Sequence, residues 1–203
     1  MKDIDVSTIE KLIISGEMSL DCIQVLHDEM ASTLLELRMA FASVKDDSYF
    51  WIKILDTKCF KKLESIIIGA SITKHVVYHK DCTLNESPVK YSLFDSNTLS
   101  YIEVHEDNPK YQSIDGVLFD KEGTLVKCPP CLGDHYTIPN FVQVIDSEAF
   151  YNCSNLKRVH IPDSVQKIDL NDQSGSFANC TAFITVDSNN PKYKSVDGKI
   201  YEK

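Results

Sequence analysis

The side chains best suited to chemistry in this sequence are its cysteines and histidines. Cys128-Pro-Pro-Cys131 has the spacing of a redox dithiol or of half a zinc site. A thioredoxin-type pair needs its first cysteine at a helix N-terminus, where the dipole lowers the thiol pKa. Here Leu-Gly-Asp-His follows, with no helical period. A structural zinc site needs a second pair at ligand spacing, and the sequence offers none. The segment therefore reads as a structural turn, with redox activity and metal binding as alternatives. His75, His79 and Cys82 form a second cluster. On a helix the two histidines share a face, but Val76, Val77 and Tyr78 favour a strand, where four residues span about 13 Å, too far for one metal ion. Asn152-Cys-Ser154 and Asn179-Cys-Thr181 match the glycosylation sequon, yet both fall in a repeated Phe-x-Asn-Cys segment expected to pack inside the fold. No phosphate loop, His-Glu-x-x-His or Gly-x-Ser-x-Gly occurs. The reading is a non-enzymatic protein with no catalytic residues, no metal and no cofactor.

Composition narrows the partners. The formal net charge is -9 and no run of five or six like charges occurs. Phosphate contacts supply most non-specific nucleic-acid affinity, so a basic footprint is expected of a nucleic-acid binder and is missing here. Nucleic acid is therefore not expected as a partner. Membrane insertion is not expected either, since no apolar stretch approaches the roughly 20 residues of a spanning helix. The start, Met-Lys-Asp-Ile-Asp, lacks the apolar run of a secretory signal, which reads as cytoplasmic. Seven cysteines at irregular spacing argue against a disulfide framework and for reduced packing residues.

Internal repeats decide the elements that position these residues. Val104 to Gly116 and Val186 to Gly198 share Asn-Pro-Lys-Tyr-x-Ser-x-Asp-Gly at an offset of 82 residues. Upstream of each lies a Phe followed by L-x-x-I-x-I-x-x-S-I/V, at Leu63 to Ile72 and Leu156 to Val165. L-x-x-I-x-I recurs at Leu99 to Val104, with degenerate copies at Asp134 to Ile138 and Thr181 to Val186. The final positions, Ile68, Val104, Ile138, Ile161 and Val186, stand 36, 34, 23 and 25 residues apart. A period in the twenties with this pattern is a leucine-rich-repeat signature. Alternation in L-x-x-I-x-I puts two apolar residues on one face of a short strand, which is buried only when copies stack in parallel. Phe60, Phe94, Phe150 and Phe177 should form a second buried column on the return side.

The stretch from Ile138-Pro-Asn-Phe through Ala149-Phe-Tyr-Asn-Cys-Ser-Asn-Leu to Ile161-Pro-Asp-Ser-Val165 resembles the BspA-like leucine-rich repeats of bacterial surface proteins. The link Asn108-Pro-Lys-Tyr-Gln-Ser-Ile-Asp-Gly-Val-Leu-Phe-Asp120 is similar to that family's connector, which commonly carries a Cys-Pro where this chain has Cys128-Pro129. The similarity covers about residues 52 to 203. Gly69 stands where the pattern has Pro, and His75 to Tyr91 has no counterpart. The resemblance implies a curved solenoid used for binding or adhesion at the cell surface or after secretion.

The expected architecture is an α/β solenoid: residues 1–50 form a helical N-terminal cap, and residues 51–203 a right-handed leucine-rich-repeat superhelix of about five parallel strands. Ser7-Thr-Ile-Glu10 fits a capping box, and Leu20, Ile23, Met30, Leu34, Leu37, Phe41 and Val44 give an apolar stripe for a helix from about Ser19 to Val44. Such a cap covers the end of a repeat stack. The alternative function is a self-assembling scaffold driven by that helix. The principal reading is binding of protein or glycan by the strand face of a monomer or weak dimer. In L-x-x-I-x-I the third and fifth positions point away from the core, giving columns Ser65, Tyr101, His135, Arg158, Phe183 and Ile67, Glu103, Thr137, His160, Thr185. The expected contact residues are Tyr101, Glu103, His135, Arg158, His160 and Phe183.

Overall fold

Each repeat folds as a strand because its second half alternates apolar and polar residues, and each strand is stabilised by the next one alongside. The computed structural model describes residues 8–18, 32–44, 62–70, 76–79, 89–92, 97–171 and 174–203. They fall into two units, Met1–Leu99 with Val104–Pro109, and Ser100–Glu103 with Lys110–Lys203.

In the first unit, β1 (Lys11–Met18), β2 (Glu36–Val44) and β3 (Ser65–Ile68) lie parallel in that order. Leu12, Leu37 and Ile66 are in register across them. A separate antiparallel pair joins β4 (Val76–His79) to β5 (Val89–Ser92), so the strand expected around His79 is present. His75, Cys82, Phe60 and Phe94 lie outside the described residues.

The helical cap is corrected. No α-helix occurs among the described residues, and both Lys11–Met18 and Glu36–Val44 are strands. The reason is visible in two further copies of the repeat: Ile9-x-x-Leu12-x-Ile14 and Leu34-x-x-Leu37-x-Met39. Leu34 and Leu37, three apart, fit a helix or a repeat equally. Leu37 and Met39, two apart with Arg38 exposed between them, fit only a strand, and Leu34, Leu37 and Met39 are buried. Register with β3 supplies the backbone partners that a helix would otherwise find within itself. Residues 19–31 lie outside the described residues.

The second unit contains β6 (Tyr101–Val104), whose Val104 already counts with the first, and ten further strands. One parallel sheet consists of β10 (His135–Thr137), β12 (Arg158–Ile161) and β14 (Phe183–Val186). A second has β9 (Thr124–Lys127), β11 (Val144–Ile145) and β13 (Lys167–Ile168), again parallel. Between the sheets lies a core that includes Leu125, Ile145, Phe150, Leu156, Val159 and Ile161, all 0–1% exposed. Two hairpins complete the unit: β7 (Tyr111–Ile114) with β8 (Val117–Asp120), and β15 (Tyr193–Val196) with β16 (Lys199–Glu202). Their turns are Asp115–Gly116 and Asp197–Gly198, with φ of 52° and 80°, and 49° and 77°. Two consecutive residues with positive φ make the turn that matches strand twist, which is why Asp-Gly recurs at both places.

Stacking also runs through the bends between the sheets. Cys128 N–H donates to the Ala149 carbonyl, Phe150 N–H to Ser176, and Asn152 N–H to Ala178. Phe150 and Phe177 stack at 4.7 Å with their planes 6° apart. Phe150 is fully buried as expected, whereas Phe177, at the end of the stack, is only half-buried. Asn152 and Asn179 do not pack inside as the sequence suggested. They sit at the bends with φ of 60° and 55°, Asn179 exposed, because asparagine tolerates this left-handed backbone.

The buried asparagines are those of the Asn-Pro-Lys-Tyr motif. Asn190 is 0% exposed and donates through Nδ2 to the carbonyls of Pro162 (2.9 Å) and Val165 (3.0 Å). Its Oδ1 accepts from Lys192 N–H (2.9 Å) and Tyr193 N–H (2.8 Å). In the first unit, Asn108 donates to Gly69 at 2.8 Å. A backbone carbonyl is all this bond needs, so Gly69 serves as well as Pro162.

Candidate binding face

The sheet β10–β12–β14 aligns the predicted residues by its register. His135 pairs with Arg158 and Arg158 with Phe183, giving one column. Thr137, His160 and Thr185 form the next. His135, Arg158 and Phe183 are exposed, and His160 is half-buried. Between these columns Val159 points inward and is 1% exposed, as strand alternation requires. His160 Nδ1 lies 3.0 Å from Thr185 Oγ1, which fixes the ring across two strands. Beside the first column, Lys157 and Asp134 form an ion pair at 2.6 Å, and the ammonium holds the Asp134 carboxyl below the usual carboxylate range. The patch thus presents a guanidinium, two imidazoles, hydroxyls and an aromatic ring on a rigid scaffold.

Tyr101 and Glu103 are exposed on β6, but they do not continue these columns. The physical reason is the hairpin that follows each of β6 and β14. Ile102 N–H donates to Gly116 and Ile184 N–H to Gly198, so the turn occupies the strand edge on which another repeat would pair. A single five-strand sheet is therefore not formed: β10, β12 and β14 lie side by side, whereas β3 pairs with β2 in the first unit.

The two aromatic residues have a structural task that sequence reasoning missed. A Cβ on Gly116 would lie 2.7 Å from Tyr101 Cδ2, and one on Gly198 would lie 2.6 Å from Phe183 Cδ2. Each ring therefore covers the backbone of its hairpin glycine. The signal was available in the sequence, because Tyr101 precedes Gly116 by the same interval as Phe183 precedes Gly198. Both rings keep an outer face, with 46% and 51% of their surface exposed.

Cys128-Pro-Pro-Cys131 is a turn: Leu132 N–H donates to Pro129, and no helix follows. Cys128, Cys131, Cys153 and Cys180 are present as thiols. Three of them stack along the bend, with Cys153 Sγ 3.5 Å from the Cys128 carbonyl and Cys180 Sγ 3.6 Å from that of Cys153. Burial pushes the Cys128 thiol well up, reinforced by its contact with Cys153, the opposite of what a redox nucleophile needs. Burial likewise raises Cys180 to about 11. No group of three or more His, Cys, Asp or Glu residues that could hold a metal ion occurs among the described residues.

Parallel strands stacked at a period in the twenties, with an interior column of bend residues, define a leucine-rich-repeat solenoid. Residues 131–203 match the model of the BspA type leucine rich repeat region (6 copies), so this part of the chain is similar to that family's repeats. Three solved structures are similar. The pneumococcal vaccine antigen PcpA is 19% identical, with 65% of this chain and 35% of that one covered, at a TM-score of 0.40. A leucine-rich repeat protein from Eubacterium ventriosum is 15% identical over 87% of this chain and 66% of that one, at 0.39. A leucine rich cell surface protein from Faecalibacterium prausnitzii is 19% identical over 78% and 38%, at 0.34. The chain thus spans about a third of the first structure's length and less than two thirds of the first and third. No curated protein sequence matches it.

Proposed function

We propose that this protein is a non-enzymatic binding module of a bacterial surface, engaging a protein or glycan through the face of β10, β12 and β14. The observation that carries this reading is the register that aligns His135, Arg158 and Phe183 beside Thr137, His160 and Thr185. Arginine and aromatic side chains supply most of the energy at interfaces, and here they are held without a loop to order. Tyr101 and Glu103 extend the surface beyond the Asp115–Gly116 turn, and Tyr101 offers the outer face of its ring. The similarity of residues 131–203 to BspA type repeats supports the surface assignment.

The test is retention of the protein on a panel of immobilised glycans and glycoproteins. Arg158→Ala combined with His160→Ala should weaken the wild-type interaction at least about tenfold, as expected for loss of a charged interface anchor. Phe183 and Tyr101 are poor first choices, because each also covers a glycine. A double variant that keeps its melting temperature and binds within twofold of wild type would move the site off this sheet.

A further inference from the structure

Taking the face of β10, β12 and β14 as the binding site, we infer that its partner is an acidic sugar, a glycan bearing a carboxylate or a sulfate ester. The chain carries 30 acidic against 21 basic residues, a net charge of -9. An outward position drawn from it is more often acidic than basic. Yet the six outward positions of this sheet, His135, Arg158 and Phe183 beside Thr137, His160 and Thr185, include no carboxylate. The acids next to them in sequence are already engaged. Asp134 is held by Lys157 at 2.6 Å, and Asp187 Oδ1 accepts the Asn189 N–H at 2.8 Å. Arg158 stands on the central strand with a neighbour on either side. Its exposed guanidinium has no partner among the described residues. A guanidinium so placed, on a face without carboxylates in a molecule of net negative charge, is a seat for one anion. Its planar fork grips a carboxylate or a sulfate through two parallel bonds.

The groups around Arg158 suit a sugar as the carrier of that anion. Thr185 Oγ1 donates its proton to the Val159 carbonyl at 3.3 Å, so it accepts from His160 Nδ1–H at 3.0 Å. The neutral ring is thereby held in the tautomer that leaves Nε2 as an acceptor. A sugar hydroxyl can donate to that nitrogen, whereas an ionised carboxylate or phosphate, which only accepts, cannot. Thr137, on the other side of His160, adds a hydroxyl that both donates and accepts. Phe183, opposite Arg158 at a strand spacing of about 4.8 Å, adds exposed ring surface for the C–H face of a sugar. Other polyanions match these groups less well. Nucleic acid is held by a row of cations, and Arg158 is the one permanently charged side chain of the six. A peptide is gripped through its backbone at a sheet edge or in a groove, whereas these six side chains stand on the face of a sheet.

The experiment titrates the full chain with lactose, sialyllactose, sulfated lactose and a hyaluronan oligosaccharide, with polyglutamate as an acidic chain that carries no sugar. At least one acidic sugar should bind at least about tenfold more tightly than lactose, and Arg158→Ala should abolish that preference. Arg158→Lys should restore part of it, since the charge returns without the fork. Both variants should keep the wild-type melting temperature, because the side chain is exposed. Preference for the sulfated over the carboxylated sugars, or the reverse, identifies the anion. Polyglutamate bound through Arg158 as tightly as the sugars, lactose bound as tightly as its acidic forms, or no binding of any acidic sugar would each overturn the acidic-sugar assignment. In those cases the face itself still stands if Arg158→Ala with His160→Ala releases another ligand. Acidic-sugar binding that survives Arg158→Ala would overturn the face as well.

Discussion

Replacing Asn190 by Ala removes a buried polar side chain that is hydrogen-bonded through both of its amide atoms. Asn190 is 0% exposed and makes four bonds of 2.8–3.0 Å, two through Nδ2 and two through Oδ1. Lys192 is exposed, so its N–H recovers water after the substitution, while Tyr193 N–H and the Val165 carbonyl are left facing a cavity and the Pro162 carbonyl keeps only its long bond from Val165 N–H. At about 1 kcal/mol net per bond, with an added penalty for buried groups left unsatisfied, the loss is about 3–4 kcal/mol. Asn190→Asp refines the argument. The introduced carboxylate still accepts from Tyr193 N–H but confronts the carbonyls of Pro162 and Val165, so its folded pKa rises above the unfolded value of about 4. A raised folded pKa gives stability that is present below the unfolded value and lost as pH climbs through the folded one. The gap to wild type should therefore be wider at pH 7 than at pH 4. Urea unfolding followed by circular dichroism at both pH values reads each quantity. A loss below about 1 kcal/mol for Asn190→Ala, or an Asn190→Asp gap that does not narrow in acid, would refute the stabilising role given to the Asn190 hydrogen bonds.

Four further outcomes follow from the packing. Phe150→Ala should cost about 3–5 kcal/mol, because the ring is fully buried and stacked on Phe177; an unchanged denaturation midpoint would count against that column. Gly198→Ala should cost about 1–2 kcal/mol for the left-handed backbone plus a clash with Phe183, and in a Phe183→Ala background only the first part should remain. Additive losses in that double-mutant cycle would remove the ring-on-glycine contact from the account. An aqueous thiol reagent should label Cys131 well before Cys128 or Cys153, which are buried, and rapid labelling of all three would contradict the stacked bend. Cys180, raised from 9.0 to about 11, stabilises the fold through its protonated form, and this contribution is complete below 9.0 and lost as pH rises through about 11. The stability difference between wild type and Cys180→Ala should shift across that window and stay flat below it.

The sequence by itself determined the repeat, its period and the inward positions. Leu156, Val159 and Ile161 are buried as the alternation in L-x-x-I-x-I requires, since the strand pleat leaves them no other direction. It also carried the duplication, because Asn-Pro-Lys-Tyr-x-Ser-x-Asp-Gly is too long to recur by accident. Tertiary structure decided whatever depends on a neighbour. Leu34 and Leu37 fit a helical stripe as well as a strand, and the register of Leu37 between Leu12 and Ile66 resolved the ambiguity. The strand columns could be written from sequence, but their interruption could not. That follows from Gly116 and Gly198 turning back onto the edges of β6 and β14, a contact between residues remote in the chain. The same contact gives Tyr101 and Phe183 one face for folding and leaves the other to solvent, a division of labour set by geometry and invisible in residue type.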